Sequence, residues 1–213
     1  MYEIGLDRQR WLRGLFFVQV VGCLLSALAL LSTIFTWAVG DWYSWADWAL
    51  MLGAVICLML LPGQYRLAGM VKALGLLCTL VGLVLYRLLY AYGLQVSSGG
   101  YVMAVSWLNR GATVLTLAAL ILEYLTHGRI DPEGRGKWNL LLCISLGFSL
   151  VCTVASLFVQ RLMGNLPQEV LLLVSKGWNI GVRSLGMGIK VIYLVLLYRL
   201  IQNIQKEIEY GGA

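Results

Sequence analysis

Residues 176–190 read KGWNIGVRSLGMGIK and lie within a segment, 170–200, that is otherwise apolar enough to span a membrane. Lys176, Arg183 and Lys190 follow one another at intervals of seven residues. Heptad steps drift by only about 20° around a helix, so these cations and Asn179 share a stripe roughly 60° wide and about 21 Å long. An ionisable group at the bilayer centre costs at least about 2.5 kcal/mol. We therefore expect the stripe to face a protein interior, a water-filled cavity or an anionic ligand.

The composition of the whole chain agrees with a membrane protein. Of its 213 residues, 60% are apolar and only 12% are charged, and the mean hydropathy is +0.81. Long apolar windows approach or exceed the roughly 20 residues that a helix needs to cross a bilayer. The sequence predicts one all-α transmembrane domain, 1–213, with six spans at about 14–39, 45–61, 70–92, 101–126, 138–163 and 170–200. The second window is short, so a re-entrant segment is the alternative there.

The distribution of Lys and Arg predicts the orientation of the bundle. Cytoplasmic connections carry an excess of these residues. Only Arg161 falls on the side of the first, third and fifth connections, whereas both termini lie on the basic side. We expect the plasma membrane as the location, with both termini cytoplasmic. The cations counted on the cytoplasmic side are Arg8, Arg10, Arg13, Arg66, Lys72, Arg129, Arg135, Lys137, Arg199 and Lys206.

A weak internal similarity links two parts of the chain. Residues 76–82 read LLCTLVG, and residues 141–147 read LLCISLG. Spans three and five run in the same direction, so a parallel hairpin duplication of spans 3–4 and 5–6 would explain the match. Apolar segments also match by chance, and both interpretations stay open at this stage.

Catalysis is not expected from the residues available. The chain has a single histidine, His127, which we expect at a helix end near the headgroups, and the only acid away from the outer ends of the spans is Glu123. A histidine metal cluster and a carboxylate pair therefore cannot be assembled, and we expect no catalytic residue, no metal and no cofactor. The net charge of +6 arises from cytoplasmic connections and intramembrane cations. It does not indicate a nucleic-acid partner.

Positive charge is concentrated in the outer halves of three spans. If spans three, four and six are neighbours, their cations surround an outward-facing basic cavity beside two indole rings. Guanidinium groups suit carboxylates and phosphates, and indoles stack on ligands or cations. For Arg87, Arg110 and Lys176, snorkelling to the interface is the competing interpretation. Glu123 would neutralise Lys190 or Arg199. The predicted ligand-binding residues are Arg87, Trp107, Asn109, Arg110, Lys176, Trp178, Asn179, Arg183 and Lys190.

Two functions follow from this pattern. The first is a binding or translocation unit for an anionic solute or a lipid headgroup, held in the basic cavity and surrounded by membrane lipids. The second is an accessory subunit, whose intramembrane cations pair with acidic residues of a partner subunit or of a second copy in a homo-oligomer. The excess of cations over acids within the spans supports both, because either source supplies the missing negative charge.

Overall fold

The computed structural model describes residues 2–35, 42–91, 99–163 and 168–211. Every long element in these ranges is an α-helix, as the apolar windows predict. The helices are α1 Tyr2–Phe35, α2 Trp42–Leu60, α3 Gln64–Ala91, α4 Gly99–Ile130, α5 Arg135–Met163 and α6 Gln168–Gly211. Each helix contains one predicted span or most of it. Several extend well beyond the apolar window, because polar residues at membrane surfaces still satisfy their backbone hydrogen bonds best in a helix.

The described helices have the lengths and surfaces of membrane spans. Five of them are long and apolar enough to cross a bilayer, and α2 supplies a shorter apolar stretch, Trp45–Leu60. Large apolar side chains point outward, including Phe17 at 68%, Leu24 at 67% and Leu150 at 66% exposure. A water-soluble protein does not expose apolar surface on this scale. The chain is a multi-pass membrane protein, and the orientation of its termini and the hairpin duplication stay predictions.

Packing arranges the six described helices as a ring. Each helix packs on the next one in the chain, and α6 packs on α1, which closes the ring. Consecutive antiparallel helices pair readily when their connections are short. The α2–α3 connection is a tight turn in which Gly63 has a φ of 75°. In the α4–α5 connection, the Asp131 carboxylate accepts a hydrogen bond of 3.1 Å from the backbone N–H of Gly134.

The tightest packing lies at one end of the ring. This end contains the start of α1, the last turns of α6 and both described connections. Its core includes Leu12 and Leu15 of α1, Leu58 of α2, Trp138 of α5 and Leu197 of α6, all without solvent exposure. Burying each such side chain contributes about 1.5–3 kcal/mol relative to water. By the charge distribution, this is the predicted cytoplasmic end.

The last turns of α6 are part of the same packing. Ile204 is buried against the core. The Gln205 side-chain oxygen accepts a hydrogen bond of 3.0 Å from Arg13 of α1. Asn203 donates to the Asp131 carboxylate in the α4–α5 connection over 3.4 Å. These contacts fasten the amphipathic end of α6 to its own bundle.

Candidate functional site: a polar cavity inside the helix ring

A cavity with two lobes lies inside the ring. The first lobe has a volume of about 270 Å³ and is bounded mainly by α4, α5 and α6. The second has a volume of about 400 Å³ and is bounded mainly by α1, α2 and α3. The lobes share four lining residues, so they adjoin at a neck. The neck residues are Gln19 of α1, Lys72 of α3, Thr116 of α4 and Lys190 of α6.

The two lysines of the neck have different partners. The Lys72 ammonium lies 3.5 Å from the Glu123 carboxylate, so its charge is balanced within the protein. The Lys190 ammonium donates a hydrogen bond of 2.8 Å to the Ser26 hydroxyl, which carries no charge. Among the described side chains, no carboxylate lies within 4.0 Å of Lys190. Since an ammonium has three donors, Lys190 retains hydrogen-bonding capacity and an unbalanced charge in the cavity.

The ion-pair partner predicted for Glu123 from the sequence was wrong. We expected Glu123 to neutralise Lys190 or Arg199, and we counted Lys72 among the cytoplasmic cations. Instead, α3 begins at Gln64, so Lys72 lies two turns inside the helix and reaches Glu123. The hydropathy of the sequence predicted that this span begins at residue 70. Lys72 was therefore assigned to the membrane surface.

Glu123 is the first member of a buried polar group, here called the floor cluster, which also contains His127, Tyr193, Tyr65 and Trp138. The Tyr193 hydroxyl donates to the Glu123 carboxylate over 2.5 Å. The same hydroxyl lies 3.4 Å from His127 Nε2, and the Tyr65 hydroxyl lies 2.6 Å from His127 Nδ1. The only proton on the Tyr193 hydroxyl is used by Glu123. His127 Nε2–H is therefore the donor to Tyr193, and Nδ1 accepts from Tyr65.

The floor cluster closes the cavity at the predicted cytoplasmic end. Its members come from α3, α4, α5 and α6. Tyr65, His127 and Trp138 have no solvent exposure, and the His127 and Trp138 rings stack with centroids 4.4 Å apart. His127 lies in the last turn of α4, as predicted for a helix end, and its side chain is part of the core. These rings pack closely, although Trp138 Nε1 has no hydrogen-bond partner among the described residues, and neither lobe extends as far as Tyr65, His127 or Trp138.

The predicted ligand-binding residues form two groups, and Lys190 lies apart from both. In the α3–α4 group, Arg87, Asn109 and Arg110 are exposed, and the Arg110 guanidinium lies 5.5 Å from the Trp107 ring centre. In the second group, on α6, Lys176, Asn179 and Arg183 are exposed and Trp178 is half-buried. Lys190 alone of the nine lines the lobes described above.

The adjacency assumed for the basic cavity is only partly observed. Helices α3 and α4 pack closely on each other, whereas α6 packs on α1 and α5. Lys190 of α6 and Lys72 of α3 both line the neck, whereas Arg87, Arg110, Lys176 and Arg183 line neither of the two lobes. Whether either group binds an anion stays a prediction. Lys190 lines the cavity, and Arg183 lies seven residues earlier on nearly the same side of α6. This side of α6 therefore leads from the cavity away from the floor cluster.

Several lining residues were missed by sequence reasoning. Tyr193 and Ser145, which line the first lobe, and Tyr65 in the floor cluster resemble ordinary residues of apolar spans, and only helix packing brings them together. One local signal was available: Glu123 and His127 are four residues apart and so share a helix face. That spacing points to a polar patch on α4 but not to its partners on other helices.

Comparison with protein-family models, with curated proteins and with solved structures finds no match to this chain. The cavity is therefore interpreted from its own residues.

Proposed function

We propose that this membrane protein is a binding unit for a small anionic solute, which occupies the central cavity with its negative charge at Lys190. The observation that carries the proposal is the difference between the two neck lysines: Glu123 pairs with Lys72, whereas no described carboxylate lies within 4.0 Å of Lys190. The acids in the lining are Glu123 in the first lobe and Asp47 in the second. A charge in this position is costly unless it is paired or hydrated. An anion from outside the chain supplies the missing partner.

The form of the cavity supports the same proposal. Its lobes of about 270 and 400 Å³ are of the size that accepts small molecules. Most of the lining is apolar, with a few polar groups such as Gln19, Thr116 and the lysines. Ligand pockets combine these features, because apolar walls supply contact area and isolated polar groups fix the orientation. Glu123 is engaged by Lys72 and Tyr193, which suits a structural role better than acid–base chemistry.

A second function is supported by the outer cations. Arg87, Arg110, Lys176 and Arg183 are exposed, and no carboxylate among the described side chains lies within 4.0 Å of them. In an accessory subunit, acidic residues of a partner would pair with these groups. Translocation, as opposed to binding alone, would further require the floor cluster to open, because this cluster closes one end of the cavity.

The test compares the wild type with Lys190→Gln after purification in detergent, using native mass spectrometry to detect retained small molecules. We expect an anion in the wild type and loss of it in the variant. Losing a charge-assisted bond of about 1.5–3 kcal/mol lowers affinity roughly ten- to a hundredfold. Lys206→Gln is the matched control, because Lys206 lies exposed in the last turns of α6. Equal retention by Lys190→Gln would contradict the proposed site, and a stable partner rich in intramembrane acids would support the accessory function.

A further inference from the structure

The first lobe contains a second group without a partner, the hydroxyl of Ser145. Ser145 is only 6% exposed, it lines the lobe, and its Oγ makes no hydrogen bond among the described residues. The Tyr124 hydroxyl interacts with Ser145, but the two groups do not meet the geometry of a hydrogen bond. Buried hydroxyls are normally satisfied, and leaving one unpaired costs free energy. Ser145 therefore needs a partner from inside the lobe.

Other hydroxyls on the described helices show why Ser145 is unusual. A serine or threonine inside a helix commonly donates to the carbonyl four residues earlier. Thr116, which also lines the cavity, donates to Ala112 O over 2.8 Å, and Thr126 donates to Leu122 O over 2.6 Å. Ser26 does the same with Gly22 O over 2.8 Å. Ser145 makes no such bond, so its donor is available to a molecule in the lobe.

Most of the surface of the first lobe is apolar, and its polar lining residues besides Ser145 and Lys190 include Gln19, Glu123 and Ser149. Its apolar lining residues are Leu120, Phe148 and Ile189, and Gly186 lies next to the Phe148 ring. Adding a Cβ at Gly186 would place it 3.7 Å from the edge of that ring. A small inorganic anion would leave most of this apolar surface in contact with water. A ligand with an apolar body replaces water against it with a gain in free energy.

We infer that the first lobe binds a monocarboxylate with an apolar body about the size of a benzene ring, such as an aryl acetate. This inference rests on the proposed function and specifies the ligand class of the same site. One carboxylate oxygen accepts from the Lys190 ammonium, and the other accepts from the Ser145 hydroxyl. The apolar body lies against Phe148. The lysine thus neutralises the charge of the carboxylate, and the serine orients it by a hydrogen bond. The aromatic wall favours this ligand over phosphate and sulfate, which have no apolar body.

Equilibrium dialysis of the detergent-purified protein against three probes tests the inference: phenylacetate, its neutral amide phenylacetamide, and inorganic phosphate. We expect phenylacetate to bind, and each of the other two to bind at least roughly tenfold more weakly, because one lacks the charge and the other lacks the apolar body. Lys190→Gln should weaken phenylacetate binding by roughly tenfold or more, and Ser145→Ala by roughly three- to tenfold.

A thermal unfolding measurement without ligand separates binding from folding. Because Ser145→Ala removes an unpaired buried hydroxyl, the variant should unfold at an equal or higher temperature while binding phenylacetate more weakly. Ser184→Ala is the matched control, since Ser184 is exposed on α6 and does not line either lobe. Lower thermal stability of Ser145→Ala, or unchanged affinity, would overturn the role of this serine.

The three probes distinguish the inference from the proposed function. Phosphate binding as tight as that of phenylacetate, and still dependent on Lys190, would overturn the ligand class and leave the anion site standing. Equal binding of phenylacetamide with no effect of Lys190→Gln would overturn both. Failure of every probe to bind would overturn the monocarboxylate inference, and the mass-spectrometric comparison of Lys190→Gln would then decide the anion site by itself.

Discussion

At the scale of single residues, the roles of the intramembrane charges depend on partners that lie far away in sequence. Glu123 and Lys72 meet between α4 and α3, and Tyr193 reaches Glu123 from α6. From the sequence we expected Glu123 to pair with a cation of the spans, and it does pair with one. The sequence could not indicate which cation, because the rotation of each helix about its axis is determined by packing and not by hydropathy.

Removing the acid of this pair should destabilise the protein. In Glu123→Gln, the Lys72 charge loses its partner and the Tyr193 hydroxyl loses a charged acceptor. Since the Lys72 side chain retains 22% exposure, we expect a loss of about 1–3 kcal/mol rather than the larger cost of a fully buried charge. The double variant Lys72→Met with Glu123→Gln should recover part of this loss, because it removes the unpaired charge.

Thermal unfolding of the wild type, both single variants and the double variant in one detergent provides this measurement. Glu209→Gln is a control, because Glu209 is exposed near the end of α6. A Glu123→Gln protein as stable as the wild type would show that the Lys72–Glu123 pair contributes nothing to folding.

At the scale of elements, close helix contacts occur at glycines that the sequence did not single out. The spacing of Gly177 and Gly181 is typical of membrane helix contacts. However, a Cβ at either position would meet no described atom within 4 Å. The close approach is instead at Gly69 of α3, where a Cβ would lie 2.8 Å from Met59 Cγ and 2.9 Å from Met59 N of α2. A spacing motif indicates that a close contact is sterically allowed, but not where a neighbouring helix passes.

Alanine substitutions at two of these glycines should have opposite effects. Gly69→Ala forces α2 and α3 apart, because one of the contacted atoms belongs to the backbone, and we expect a loss of about 1–3 kcal/mol. Gly181→Ala meets open space in this chain and improves helix propensity, so it should be neutral or stabilise by up to about 1 kcal/mol. Denaturant or thermal unfolding of both variants measures the difference. Equal stability of the two would argue against the α2–α3 contact.

At the scale of the whole molecule, the sequence predicted the class and the number of helices well and the cavity poorly. Six apolar windows correspond to six helices, because the need for about 20 apolar residues per span is a strong constraint on composition. The cavity depends on the order of helices around the ring, which composition does not determine. Of the predicted binding residues, only Lys190 lines its lobes, and this residue ends the heptad stripe recognised in the sequence.

The predicted orientation can be tested by labelling single cysteines in intact cells, after replacement of the five native cysteines. Cysteines at Ser98 and Gly164, in connections outside the described residues, should react with an impermeant thiol reagent. A cysteine at Gly136 should react only after permeabilisation. Gly136 is exposed with open space around it, whereas a Cβ at the adjacent Gly134 would collide with the Asp131 carboxylate.

The outcome at Gly136 also decides the side from which the cavity is reached. The floor cluster lies at the same end of the ring as Gly136, and it closes the cavity there. If Gly136 is protected in intact cells, the open side of the cavity faces outward and its ligand arrives from outside. Labelling of Gly136 from outside would reverse the topology. The Lys190 anion would then enter from the cytoplasm, and the basic residues at this end would be an exception to the positive-inside rule.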